Sequence, residues 1–377
     1  MLSRRFILCG FLALCQPTWG LAQDTSTIPA ARGDGWPVAA PGKIGLDPQA
    51  LAELVELIDA GVSYPNIHAL LIEHDGRLIF EHYWPGEDYN WIDPLGRVDH
   101  GPETLHDLRS VSKSVTALLL GIALGADPKD ALARPIAQFF PDQNGLDPAL
   151  GAVTLHHVLT MTAGLAWNET IVSYDDPRND FIRLIASDDP ASFVLRKERR
   201  HAPGSQWNYN SGLTDLTAGV IEHLTGRPLT DYAEHVLFDP LGITDYEWRR
   251  PAAWGPNGFP NASAGLRLRA PDLAKIGALI LHEGKWQGRQ IVPAPWIETA
   301  TARHVDAPWG RYGYGYFWWP GKLVSGHAVI RAAGSGDQRI YVLPERRLVV
   351  TLLAGNYGDA STEVGARIMG RIVRALP

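Results

Sequence analysis

The chain has 377 residues, 45% apolar and 20% charged, with Gly 38 and Pro 28. That is long enough to bury a large core, and it excludes a disordered chain and a collagen-like repeat. The net charge is −7, from 34 basic and 41 acidic residues, so no nucleic acid is expected as a partner.

Arg4 and Arg5 precede an apolar run over 6–15, and small residues follow to Gly20-Leu21-Ala22. This pattern predicts a secretory signal over 1–22 and therefore an exported, periplasmic protein. Leu14 before Cys15 fits a lipoprotein signal badly, so a lipoprotein is the lesser alternative. The apolar run is too short for a stable transmembrane helix, and no later stretch reaches 18 apolar residues. No membrane span is expected in the mature chain. Both cysteines, Cys9 and Cys15, lie in the signal, so no disulfide, thiolate nucleophile or cysteine-based zinc site is expected. Residues 23–45, rich in Gly, Pro, Ala and Thr, read as a flexible lead.

Asp47-Pro48 predicts a helix start, because Asp caps well and Pro suits the first helical position. Leu51, Leu54, Val55 and Ile58 follow at helical spacing. Strands over 68–74 and 77–84 around Asp75-Gly76 predict a hairpin. From about 105 to 300 the chain reads as mostly helical, with helices over 112–124, 154–162 and 213–224. Strands return at 329–333, 339–343 and 348–354, turned by 334–337 and 344–346. An amphipathic helix over 362–376 closes the chain. Neither set of strands alone makes a stable covered sheet, so both must share one. The expected fold is α/β, with an α/β part over about 46–110 and 300–377, a helical insert over about 111–299, and a cleft between them.

The chemistry begins at Ser110-x-x-Lys113. On a helix, i and i+3 share a face, so the lysine can reach the hydroxyl. Ser110 sits at the helix N-terminus, where free N–H groups favour developing negative charge. Lys113 is the one charge between Ser110 and Asp127. A partly desolvated lysine can act as the base that a serine nucleophile requires. Read alone, the tetrad is also compatible with a capping serine beside a solvated lysine.

A second segment, Pro203-Gly204-Ser205-Gln206-Trp207-Asn208-Tyr209, opens another apolar helix about 100 residues on. With this pair, the chain resembles the serine β-lactamase-like hydrolases. These include class C β-lactamases, D-Ala-D-Ala peptidases, β-lactamase-fold esterases and 6-aminohexanoate-dimer hydrolases. Leu159-Thr160-Met161-Thr162-Ala163-Gly164-Leu165, Phe238-Asp239-Pro240-Leu241-Gly242 and Gly265-Leu266-Arg267 agree, and the resemblance covers roughly 45–375. It implies one catalytic domain over 46–377 with an antiparallel sheet flanked by N- and C-terminal helices. It also implies Ser110 as the acylated nucleophile, Lys113 as its base, and Tyr209 in the same proton network. Neither a metal nor an organic cofactor is expected.

The family's third motif carries Lys-Thr-Gly or His-x-Gly on a cleft strand. Its best match here is Gly334-Ser335-Gly336-Asp337, with Gly334 where the cation stands. The N–H of Asp337 is the expected oxyanion donor beside the N–H of Ser110. Gly334, Ser335, Gly336, Ser211 and Trp167 are the expected substrate contacts, with Glu169 at the pocket edge. Without the cation, a substrate carboxylate loses its partner unless Arg331 or Arg339 replaces it. This departure, with Tyr209-Asn210-Ser211, is similar to the esterase and 6-aminohexanoate-dimer hydrolase branch. The leading expectation is an exported serine hydrolase acting on a small-molecule ester or amide. A β-lactamase or peptidoglycan peptidase is the alternative, and a non-catalytic ligand sensor the second. His156-His157 lacks a partner at metal-ligand spacing and reads as helix surface.

Overall fold

A computed structural model describes residues 28–256, 258–308, 310–358 and 364–376. The expected signal over 1–22, both cysteines and the start of the last helix at 362 lie outside these residues. The elements that position the site are α1 (Pro48–Asp59), β1 (Ile67–His74), β2 (Arg77–Tyr83), β3 (Gly86–Asn90), β4 (Asp93–Val98) and β5 (Leu105–Asp107). They continue with α2 (Val111–Leu124), α3 (Ser211–Thr225), β6 (Leu266–Arg269) and α4 (Ala270–Leu281). The chain ends with β7 (Trp319–Lys322), β8 (Ala328–Gly334), β9 (Gln338–Leu343), β10 (Leu348–Ala354) and α5 (Val364–Arg374).

The strands of the two chain ends form one six-stranded sheet in the order β7-β8-β9-β10-β1-β2. Every pairing in it is antiparallel, and β1 is the seam, with β2 on one side and β10 on the other. The β1–β2 turn holds Asp75 at φ +52° and Gly76 at φ +78°. Two positive φ values are what the favoured two-residue hairpin turn needs, hence Asp-Gly.

Both faces of the sheet are covered, which explains strands that read as continuous apolar runs. Leu70, Ile72, Tyr341, Leu343, Val350 and Leu352 face α1 and α5. Their neighbours Ala69, Leu71, Ile340, Val342, Val349 and Leu353 face α4 and the helical body. In α1, Asp47 accepts a hydrogen bond from Gln49 N, and Leu51, Leu54, Val55 and Ile58 are buried as the spacing predicts.

Four expectations change. The segment from 28 to 45 is tied down. Trp36 is buried edge-on to Trp286, Leu78 N donates to Pro37 O and Ala39 N donates to Leu78 O, and Asp34 pairs with the buried Lys275. Helix α4 lies within the expected helical insert but packs on the sheet, where a Cβ on Gly277 would stand 2.5 Å from Val349. The insert also returns a strand, since β6 pairs with β5 just before Ser110. The helix expected over 154–162 runs only Leu155–Leu159, because Met161 and Gly164 adopt positive φ.

Candidate active site

Strand β5 ends at Asp107, and the chain turns sharply into α2. Arg109 makes the corner at φ +49°, a region that side chains other than glycine rarely adopt. Its guanidinium is held by the Asp107 carboxylate and the Trp91 carbonyl, between the rings of Trp91 and Tyr357. Asp107 is itself anchored by Arg267 of β6 at 2.9 Å. Ser110 follows as the N-cap residue of α2.

Lys113 lies one turn on, 2% exposed. Its Nζ donates to Ser110 Oγ at 3.1 Å and to the Ser263 carbonyl at 2.9 Å. From the segment before α3, Tyr209 OH donates to Ser110 Oγ at 2.8 Å. Lys113 Nζ is 5.0 Å from the Tyr209 ring centroid. Thus three residues spread over about 100 positions converge on one hydroxyl. Trp319 stacks against Tyr209 and walls this side.

Behind Lys113 lies a group that sequence reading missed. Asp215 of α3 is fully buried and accepts hydrogen bonds from Ser263 N (3.1 Å) and Ser263 Oγ (2.9 Å). Ser263 thus links Asp215 to Lys113 through its carbonyl. Burial pushes the Asp215 carboxyl up to about 7, against the opposing pull of Lys113 and the Ser263 hydrogen bonds. The unfolded chain holds such a carboxyl near 3.8, so between these values the folded protein keeps a proton that the unfolded chain has released. This contribution to stability is full below pH 4 and is lost as the pH rises through 7. Asp215→Asn removes it. In paired urea melts, the stability of the variant relative to wild type should rise by up to about 4 kcal/mol from pH 4 to 7. A difference that is flat with pH would refute this assignment.

Two of the expected substrate contacts take part in an internal network. Ser211 and Trp167 are buried, and both are bonded to Glu169. Glu169 accepts Ser211 Oγ at 2.6 Å, Ser211 N at 2.8 Å, Trp167 Nε1 at 2.7 Å and Tyr174 OH at 3.0 Å. Their polar atoms are committed to an internal network, because a buried carboxylate must be satisfied. Arg339 is likewise engaged, with Asp337 and the Gly334 carbonyl, while Arg331 stacks over Tyr312. His157 closes the capping box of the Leu155–Leu159 helix, and His156 bonds Tyr316 OH.

In the β8–β9 turn, Gly334 is the residue that abuts the Ser110 corner. A Cβ there would lie 2.4 Å from the Leu108 carbonyl oxygen and 3.2 Å from Arg109 Cβ. Gly336 instead faces Tyr357 and Gln338, and Ser335 is exposed. The Asp337 carboxylate is buried against Arg339 and receives the first N–H groups of α5. The side chain of Asp337 therefore joins the turn to α5, while Gly334 lies against the Ser110 corner. Gly334→Ala should displace that corner, since the obstructing atom is backbone. Acylation by a fluorophosphonate should slow about 100-fold. Wild-type acylation would mean that the turn is not part of the site.

The beta-lactamase family model matches residues 56–370. The chain belongs to the beta-lactamase family. Within it, the chain is 24% identical over 294 residues to the 6-aminohexanoate-dimer hydrolase of Paenarthrobacter ureafaciens, covering 75% of this chain and 69% of that protein. It is 31% identical over 163 residues to esterase EstB of Burkholderia gladioli, a match that spans 38% of each chain. The fold is shared with EstCE1, a hydrolase with promiscuous acyltransferase activity, at a TM-score of 0.67, with 17% identity over 86% of this chain and 98% of that one. The relatives thus include a 6-aminohexanoate-dimer hydrolase and an esterase. No helix among the described residues is long and apolar enough to cross a membrane.

Proposed function

We propose that the protein is an exported serine hydrolase that cleaves an ester or a small amide through an acyl-enzyme on Ser110. The observation that carries this reading is the meeting of Lys113 Nζ and Tyr209 OH on Ser110 Oγ at 3.1 and 2.8 Å. Both groups are within proton-transfer distance of the nucleophile. With the Lys113–Tyr209 pair one proton short, as an amine beside the phenol, Ser110 Oγ attacks the carbonyl carbon and its proton passes to that amine. The bond to the leaving oxygen or nitrogen then breaks, and the pair returns a proton to the leaving group. Water attacks the acyl carbon, loses a proton to the same pair and releases the acid, and Ser110 regains its hydrogen.

The oxyanion is stabilised by N–H groups at the corner. One is Ser110 N–H, at the start of α2. The other is assigned to Ser335. In a trans peptide, C=O and N–H point in opposite directions. The Gly334 carbonyl is turned to Arg339, so the Ser335 N–H points away from that arginine, while the Gly334 Cα faces Leu108 and Arg109.

The ester or small-amide preference rests on Gly334 standing where a cation is otherwise found, and on the names of the relatives. Export rests on the sequence pattern over 1–22. The test is a panel on purified mature protein beside Ser110→Ala: p-nitrophenyl esters of several acyl lengths, the linear 6-aminohexanoate dimer and a chromogenic cephalosporin. Ser110-dependent turnover of ester or dimer with poor cephalosporin hydrolysis is expected. Fast cephalosporin turnover would overturn the preference, and a folded protein that no acylating probe labels would overturn the enzyme reading.

A further inference from the structure

Four side chains that the reaction does not use meet behind the nucleophile corner. They are His68 on β1, Asp88 on β3, His100 after β4 and His106 on β5. One ligand atom from each lies within 4.8 Å of all the others. His68, Asp88 and His106 are at most 1% exposed, and His100 is half-buried.

The hydrogen bonds around the cluster decide which atoms face inward. Asn66 Oδ1 accepts from Glu87 N at 2.9 Å, and Asn66 Nδ2 donates to Glu87 O at 2.9 Å, so the amide orientation is set. His68 Nε2 lies 3.1 Å from that Oδ1 and must be its donor. This leaves a lone pair on His68 Nδ1. His106 Nδ1 lies 3.0 Å from the Asp107 carbonyl and must also donate, which leaves a lone pair on His106 Nε2. Those two lone-pair nitrogens face each other at 2.8 Å. Two acceptors cannot hold that distance without a cation between or beside them. Asp88 adds a negative charge, 3.6 Å from His106 Nε2. Both its oxygens, and His100 Nε2, are buried without a hydrogen-bond partner among the described residues.

We propose that His68 Nδ1, Asp88, His100 and His106 Nε2 form a binding site for one divalent transition-metal ion of the Zn²⁺ class. Three imidazoles and one carboxylate are a zinc donor set, and nitrogen donors disfavour Mg²⁺ and Ca²⁺. Tetrahedral zinc needs donor atoms about 3.3 Å apart, which falls between the closest pair and the outer limit of this cluster. The hydrogen bonds from His68 to Asn66 and from His106 to Asp107 O are the outer contacts that orient metal-binding imidazoles. Four protein ligands leave no open position, so the ion is structural. It ties β1 and the β3–β4 hairpin to β5, which ends at Asp107 shortly before Arg109 and Ser110.

The test uses the whole protein purified without a polyhistidine tag from zinc-supplemented cells. Mass spectrometry should find about one zinc per chain, removable by pyridine-2,6-dicarboxylate. Titrating the stripped protein with Co²⁺ should give the visible bands of tetrahedral cobalt, saturating at one equivalent and displaced by Zn²⁺. Zn²⁺ should raise the melting temperature of the stripped protein. In His100→Ala, the half-buried position least needed for packing, cobalt should bind at least about 100-fold more weakly. The proposal is overturned if wild type gives neither tetrahedral bands nor a zinc-dependent rise in melting temperature, the outcome expected if the nitrogens merely share a proton. It is also overturned if His100→Ala and Asp88→Asn bind cobalt as wild type does.

Discussion

Ser110→Ala should abolish covalent labelling by a fluorophosphonate and lower ester turnover by about 10⁴-fold or more, with the fold intact. The substitution removes one exposed-side oxygen from the end of a helix that is otherwise buried along Val111, Val115, Leu118 and Leu119. It leaves every packing contact of α2 in place, so a stability change under about 1 kcal/mol is expected. Lys113→Met should lose activity on a similar scale, because nucleophile and base act as one unit. The double variant should then be little worse than either single one. Additive losses would mean that Lys113 acts on something other than the Ser110 proton. Labelling that survives in Ser110→Ala would remove the acyl-enzyme reading altogether. Lys113→Met should also cost stability, since the Ser263 carbonyl loses its donor and Asp215 its nearest cation.

The parts of this site that sequence could disclose are those whose geometry is local. Ser110 and Lys113 are one helical turn apart, so spacing alone brings them together. The hairpin at Asp75-Gly76 is local in the same way, and so is the cap at Asp47. Tyr209 comes from another segment, and only its resemblance to a family pattern placed it beside Ser110. Where a residue's role depends on distant partners, local reading failed. Trp36 and Asp34 sit in a Gly- and Pro-rich lead, yet Trp286 and Lys275, some 250 residues on, hold them. Asp337 shares its turn with Gly334 and Ser335, and a turn's sequence does not say which of its peptides faces the helix N-terminus. Asp215 is one of two acids in α3, with Glu222, and nothing local tells a buried acid from an exposed one. His68, Asp88, His100 and His106 have no motif spacing because four separate segments deliver them.

The most informative of these residues is Glu169, because it binds the polar atoms of two residues expected to touch substrate. Its carboxylate is 2% exposed and gathers four donors, from Trp167, Tyr174 and both the N–H and the hydroxyl of Ser211. Ser211 begins α3, and Tyr209 stands two residues before it. The Glu169–Ser211 contact therefore fixes the point from which Tyr209 reaches Ser110. Glu169→Ala leaves those donors buried without an acceptor, at about 1–3 kcal/mol for each that cannot relax. The two hydroxyls can rotate to other partners, whereas the indole and the backbone N–H cannot. A net loss of about 4 kcal/mol in urea melts is expected, and about 100-fold in turnover as Tyr209 shifts. Glu169→Gln is the discriminating companion. Its oxygen can still accept from Trp167 and Ser211 N, and its amide can donate to hydroxyls that turn to accept. It should stay within about 1.5 kcal/mol of wild type and keep most of the activity. If the network instead serves substrate directly, Ser211→Ala would raise KM with stability unchanged. An internal anchor predicts the reverse, a loss of stability with KM nearly constant.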